Sequence, residues 1–203
     1  YWGKAFFAMN RGCDMISAAS RTYGFYDVQG KQTRIFWLYT NDSEDYLSET
    51  QLEFLQHHLD DLPEGHCAAI LQHICPRAVG NWMGSDPLPP EAFARQHQIL
   101  ADFVRKGGSL AGDLCGHSHF DADEQSEGVN YFIFQGYGGI GPREIPPHAR
   151  LAMQFNPRLN RTDTFDSSKY TLFHLAVIKP VQRQIRLFRL GPGGQACDRG
   201  AQF

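Results

Sequence analysis

Cys67-Ala68-Ala69-Ile70-Leu71-Gln72-His73 is the stretch on which the reading of this chain turns. Its five apolar residues are too few for a helix and lack an alternating polar partner, the pattern of a strand buried on both faces. Strands of that kind belong to sheets covered by helices. The polar pair Gln72-His73 then falls at the strand's carboxyl end, where open α/β sheets bind their ligands.

The same pattern extends upstream and downstream. Arg34-Ile35-Phe36-Trp37-Leu38-Tyr39 is another β-favouring run, closed by the turn formers Asn41-Asp42-Ser43. Ser48-Glu49-Thr50-Gln51 is a capping-box pattern, in which the serine and Gln51 are each expected to satisfy a free amide. It opens a helix with Leu52, Leu55 and Leu59 on one face, stopped near Pro63 and Gly65. After His73 comes an irregular stretch, 75–90. An amphipathic helix follows, with Phe93, Ile99, Leu100 and Phe103 as its apolar positions and Gly107-Gly108 at its end. Residues 110–115 and 130–134 read as further buried strands, and the alternation predicts an α/β sheet with helices packed on it. Residues 171–178 and 184–190 alternate apolar and polar residues around Lys179-Pro180-Val181-Gln182, which predicts an antiparallel hairpin added to an edge of that sheet. Residues 136–168, rich in Gly, Pro and polar side chains, read as surface loops. No repeat or linker divides the chain, so 1–203 is expected to be a single domain.

Composition narrows the function classes. The formal net charge of -3 gives no electrostatic footprint for wrapping nucleic acid or coating an anionic membrane. No apolar run approaches the roughly 18 residues of a membrane span. Cys13, Cys67, Cys75, Cys115 and Cys197 are odd in number and form no C-x-x-C. Small buried thiols in a reducing compartment, the cytoplasm, are therefore expected rather than a disulfide framework. The chain opens on Tyr1, and the expectation is a processed, truncated or partly recorded product.

Three histidines stand where metal ligands would be useful. His73 follows one buried strand, and Gly116-His117-Ser118-His119 follows another. In extended backbone, residues i and i+2 point the same way, so His117 and His119 can reach one cavity. Gly116 is expected to let the chain turn sharply and come close to an ion. Imidazole suits zinc, manganese or iron. The plainer alternative for each is a hydrogen-bonded structural histidine. Arg77 and Asn81, on the loop after His73, are placed to lean over such a site, against the plainer reading of an exposed loop. Asp121, two residues after His119, is either a carboxylate that orients a ligand imidazole or a turn residue. His57-His58 are neighbours on a helix, expected to point different ways as surface or partly packed residues.

Ile70-Leu71-Gln72-His73 resembles the V-x-x-H motif of calcineurin-like metallophosphoesterases, and Gly116-His117-Ser118-His119 resembles their G-H-x-H motif. Leu47-Ser48-Glu49-Thr50-Gln51-Leu52 is similar to the L-S-x-x-Q-L that opens the family's central helix, and the likeness runs from about Tyr23 to Leu190. The resemblance implies the carboxyl-terminal half of an α/β fold, an αββα sandwich of two mixed β-sheets flanked by helices. It implies a hydrolase, a phosphatase or phosphodiesterase acting on a phosphate-ester small molecule or a phosphorylated substrate. Its cofactors would be two transition metals (manganese, iron or zinc). In the family, the histidines matching His73 and His117 bind one ion and that matching His119 binds the other. The ions, roughly 3.5–4 Å apart, clamp the phosphate and activate water for in-line attack.

The family's earlier motifs, D-x-H, G-D-x-x-D and G-N-H followed by an acid, do not occur in this sequence. They supply the bridging aspartate, further ligands and the histidine thought to protonate the leaving group, so no catalytic residue is assigned here. The full site requires that amino-terminal half. The alternative function is a non-catalytic scaffold or interaction module built on the same fold.

Overall fold

The computed structural model describes residues 14–17, 23–40, 47–76, 91–116, 122–134, 173–190 and 198–203. In chain order these form β1 (Asp14–Ser17), β2 (Gly24–Asp27), β3 (Thr33–Trp37), α1 (Glu49–Asp60), β4 (Cys67–Leu71) and α2 (Glu91–Arg105). There follow β5 (Ser109–Cys115), β6 (Ala122–Ser126), β7 (Val129–Ile133), β8 (Phe173–Lys179), β9 (Gln184–Leu190) and β10 (Arg199–Gln202).

The anticipated buried strand is β4, and it lies mid-sheet. Seven strands pair in the order β1-β2-β3-β4-β5-β7-β6. Neighbours from β3 through β4 and β5 to β7 are parallel. The pairs β1–β2, β2–β3 and β6–β7 are antiparallel, so the sheet is mixed. The two helices cover one face. Ala68 and Ile70 of β4 and Tyr131 and Ile133 of β7 pack there with Leu52, Leu55, Leu59, Phe93 and Leu100. Ala69, Ala111, Leu114 and Phe132, which point the other way, pack against Ile185 and Leu187 of β9.

That second contact corrects the expected place of the last hairpin. β8 and β9 do pair antiparallel, but they extend no edge of the first sheet. With β10 they make a separate three-stranded sheet, wholly antiparallel rather than mixed. The small side chains of Ala69 and Ala111 leave room for β9 to lie face to face on the central strands. A hairpin with a buried stripe gains more from that than from an edge, at about 1.5–3 kcal/mol for each large apolar side chain enclosed.

The helix ends show how the elements are fixed. Ser48 is the N-cap of α1 and its hydroxyl accepts the Gln51 N–H at 3.3 Å. The other half of the expected capping box does not form, because the Gln51 carboxamide is engaged elsewhere. Its oxygen accepts the Tyr39 N–H at 2.9 Å and its nitrogen donates to the Tyr39 carbonyl at 3.0 Å. At the end of α2, Gly107 adopts a φ of 92°. The Gly107 N–H bonds to the Val104 carbonyl and the Gly108 N–H to the Phe103 carbonyl, closing the helix with a Schellman motif.

β5 carries a bulge. Ala68 pairs with Leu110 and Ala69 with Gly112, so Ala111 is an extra residue. Leu110 and Cys115 both face the helices although five residues apart, while Ala111 and Leu114 face the second sheet. A strand of period two cannot do that without an inserted residue. Gly112 at φ 149° makes it possible: a Cβ there would stand 2.8 Å from the Phe132 ring.

Candidate functional site

β4 and β5 run side by side in the same direction, so their carboxyl ends emerge together. Pairing continues past both strands. The Gln72 N–H donates to the Leu114 carbonyl at 3.2 Å, and the Gly116 N–H donates to the His73 carbonyl at 2.9 Å. His73 is exposed at this rim. A Cβ on Gly116 would stand 3.7 Å from His73 Nδ1. The sequence following β4 and the sequence entering the His117 segment are thus joined backbone to backbone. His117, His119, Asp121, Arg77 and Asn81 lie outside the described residues.

Gly116 departs from expectation in one respect. Gly30, Gly65, Gly107, Gly112 and Gly128 are the described glycines with positive φ, and Gly116 is not one of them. A Cβ at that position would make only ordinary contact with His73. No sharp turn at Gly116 itself requires a glycine.

His73 is held from both sides through its peptide groups. Opposite Gly116, the Thr40 hydroxyl oxygen accepts the N–H of His73 at 3.1 Å and that of Ile74 at 2.9 Å. Thr40 lies three residues past β3 and is buried. Sequence reasoning passed over it. The available signal was a hydroxyl residue just beyond a strand, the type that binds nearby backbone amides in turns.

One residue before His73, a second cluster faces inward. Gln72 Nε2 donates to Asp113 Oδ2 at 2.6 Å, and Gln96 Nε2 of α2 donates to the same oxygen at 3.3 Å. The Cys115 thiol donates to Asp113 Oδ1 at 3.2 Å. Asp113 is wholly enclosed, and burial pushes its carboxyl up to about 7 against the opposing pull of the Cys115 and Gln72 hydrogen bonds. Burial likewise drives the Cys115 thiol well above its usual range, helped by Cys75 and by the Asp113 charge. The bulge at Ala111 is what turns Asp113 toward Gln96 on the helical side. An enclosed carboxyl half-protonated at neutral pH is a poor ligand for a metal at the exposed rim.

A third group sits at the end of α1. The ligand atoms of His57, His58 and Asp61 lie within 4.8 Å of one another, so the two rings do not diverge as expected. Their centroids are 4.7 Å apart, because Phe54 and Phe25 pack against the His58 ring and steer it. Burial lowers the pKa of His58, with the neighbouring His57 and Arg34 acting in the same direction.

Among the described residues, no helix is long and apolar enough to cross a membrane. Cys67, Cys75 and Cys115 are buried and free. No protein-family model matches this chain, and no curated protein matches it.

Proposed function

We propose that this chain carries the three-imidazole part of a di-metal centre of the calcineurin-like type and that the complete centre hydrolyses a phosphate monoester or diester. The observation that carries this reading is the hydrogen bond between the Gly116 N–H and the His73 carbonyl. It brings the start of Gly116-His117-Ser118-His119 beside the His73 ring, at the carboxyl ends of two parallel strands. An imidazole donor on a rim open to solvent, as His73 is, suits manganese, iron or zinc. His73 and His117 would hold one ion and His119 the other. When bound, such ions polarise the phosphate oxygens and make water nucleophilic at neutral pH. The chain's own contribution would be the three imidazoles, each of which ligates through an unprotonated ring nitrogen. Carboxylate ligands are needed in addition, and Asp113 is too enclosed to be one of them. The buried free thiols suit a reducing compartment such as the cytoplasm.

The test is metal content per chain by plasma mass spectrometry, on the 203-residue protein and on His117→Ala. Bound transition metal that drops sharply in the variant, with phosphodiester cleavage in the presence of manganese once the carboxylate ligands are supplied, is the expected result. No metal in either protein overturns the reading and leaves the scaffold alternative.

A further inference from the structure

We infer that Thr40 is a positioning residue for His73, itself held in place by the Gln51 carboxamide; the inference rests on the reading of His73 as a metal ligand. The chain leaving β3 first stays with the sheet, since the Leu38 N–H donates to the Leu71 carbonyl at 2.9 Å. At Tyr39 that pairing is replaced. Gln51, buried at the start of α1, offers the Tyr39 peptide groups one acceptor and one donor, at 2.9 and 3.0 Å. A side-chain amide therefore does the work of a neighbouring strand, and a two-point contact of this kind fixes the direction in which the chain continues.

That direction delivers Thr40. Its Oγ1 receives two amides, from His73 at 3.1 Å and Ile74 at 2.9 Å, which fills both lone pairs of the hydroxyl oxygen. His73 is then pinned at its N–H by Thr40 and at its carbonyl by the Gly116 N–H at 2.9 Å. The Cα of His73 has little freedom left, and ring placement reduces to its own side-chain torsions. Thr40 acts through the backbone and is not itself a ligand. The groups that make these contacts, the Gln51 carboxamide, the Thr40 hydroxyl and the peptides of Tyr39, His73, Ile74 and Gly116, do not change charge near neutrality. The anchor therefore keeps its shape across the pH range in which imidazoles become available to a metal. Sequence order hides the arrangement, because Thr40, Gln51 and His73 belong to three separate segments.

The experiment is a Co2+ titration followed by visible absorption, with His57→Ala as the parent so that the group of His57, His58 and Asp61 does not compete. Thr40→Val keeps the shape but removes the acceptor, and is expected to weaken Co2+ binding by about tenfold or more and to alter the ligand-field spectrum. Thr40→Ser keeps the oxygen and should stay within about twofold of the parent, as expected if the acceptor alone matters. Val129→Ala, a buried apolar residue of β7, serves as the control for plain destabilisation. It should lower the melting temperature and leave Co2+ affinity and spectrum unchanged. Gln51→Met, which keeps the side-chain length and removes both contacts to the Tyr39 peptide groups, provides an indirect route to the same loss should Thr40→Val fail to fold, and it should weaken binding less than Thr40→Val. Unchanged affinity and spectrum in a folded Thr40→Val or in Gln51→Met would overturn the positioning role while leaving the metal reading intact. A parent that binds no Co2+, or binds it equally well after His73→Ala, would overturn the metal reading and this inference with it.

Discussion

Gln72 and His73 are neighbours in sequence that enter two very different polar environments. Gln72 reaches inward to a carboxyl with no exposed surface, in a cluster with Gln96 and Cys115. His73 stays at the solvent rim and is secured through its peptide groups by Thr40 and Gly116. The inner cluster is ionisable and carries a desolvation cost, while the Thr40 and Gly116 contacts that secure His73 use neutral donors and acceptors. The contrast teaches that rigidity at this edge of the sheet comes from two devices, one that responds to pH and one that does not.

The sharpest way to break the comparison is to remove the charge from the inner cluster. Asp113 has a folded pKa of about 7 against 3.8 for the unfolded chain. The folded state therefore keeps a proton that the unfolded state has already released. This stabilisation is fully present below about pH 4 and is lost as pH rises through 7, a span of about three units or roughly 4 kcal/mol. Asp113→Asn should flatten that part of the curve, read by urea unfolding at a series of pH values, and should be the more stable protein at pH 8. An identical slope in both proteins would count against the buried carboxyl as its source.

A smaller effect is expected on the rim side. Gln51→Leu removes both contacts to the Tyr39 backbone and should cost about 1–2 kcal/mol, with no dependence on pH in the range where Asp113 titrates. A pH-dependent loss would mean that the two clusters are not separate devices. The smallest effect is predicted at the junction between them. Gly116→Ala should change stability by less than about 0.5 kcal/mol, because its φ is ordinary and its Cβ would meet His73 at 3.7 Å. A large loss in thermal unfolding would restore the sharp turn that the sequence suggests.

The central strands and both helices were legible because their signals are local. Leu52, Leu55 and Leu59, and Phe93, Ile99 and Leu100, repeat at helical spacing and are buried as expected. β6 was missed because Asp123, Glu124, Gln125 and Ser126 lack the apolar character of a strand; it is held by pairing with β7 across Glu127-Gly128, both at positive φ. The second sheet was missed for another reason. Nothing in residues 184–190 says whether their apolar stripe meets an edge or a face, and the room left by Ala69 and Ala111 decides it. At the candidate site, His73 stood out as an imidazole at a strand end. Thr40 and Asp113 did not, since their roles depend on partners 33 and 41 residues away.

The extra residue in β5 also bears on descent. Ala111 sets the phase of everything between it and the histidine pair. If that one residue were lost, the strand would run regularly from Leu110 with Asp113 and Cys115 still on the helical side, whereas a residue lost beyond the bulge would turn one of them to the other face. A lineage carrying this chain can drift in side-chain identity along β5 far more freely than in length. Single-residue deletions beyond Gly112 should be the rarest changes among its descendants, even where substitutions at the same positions are common.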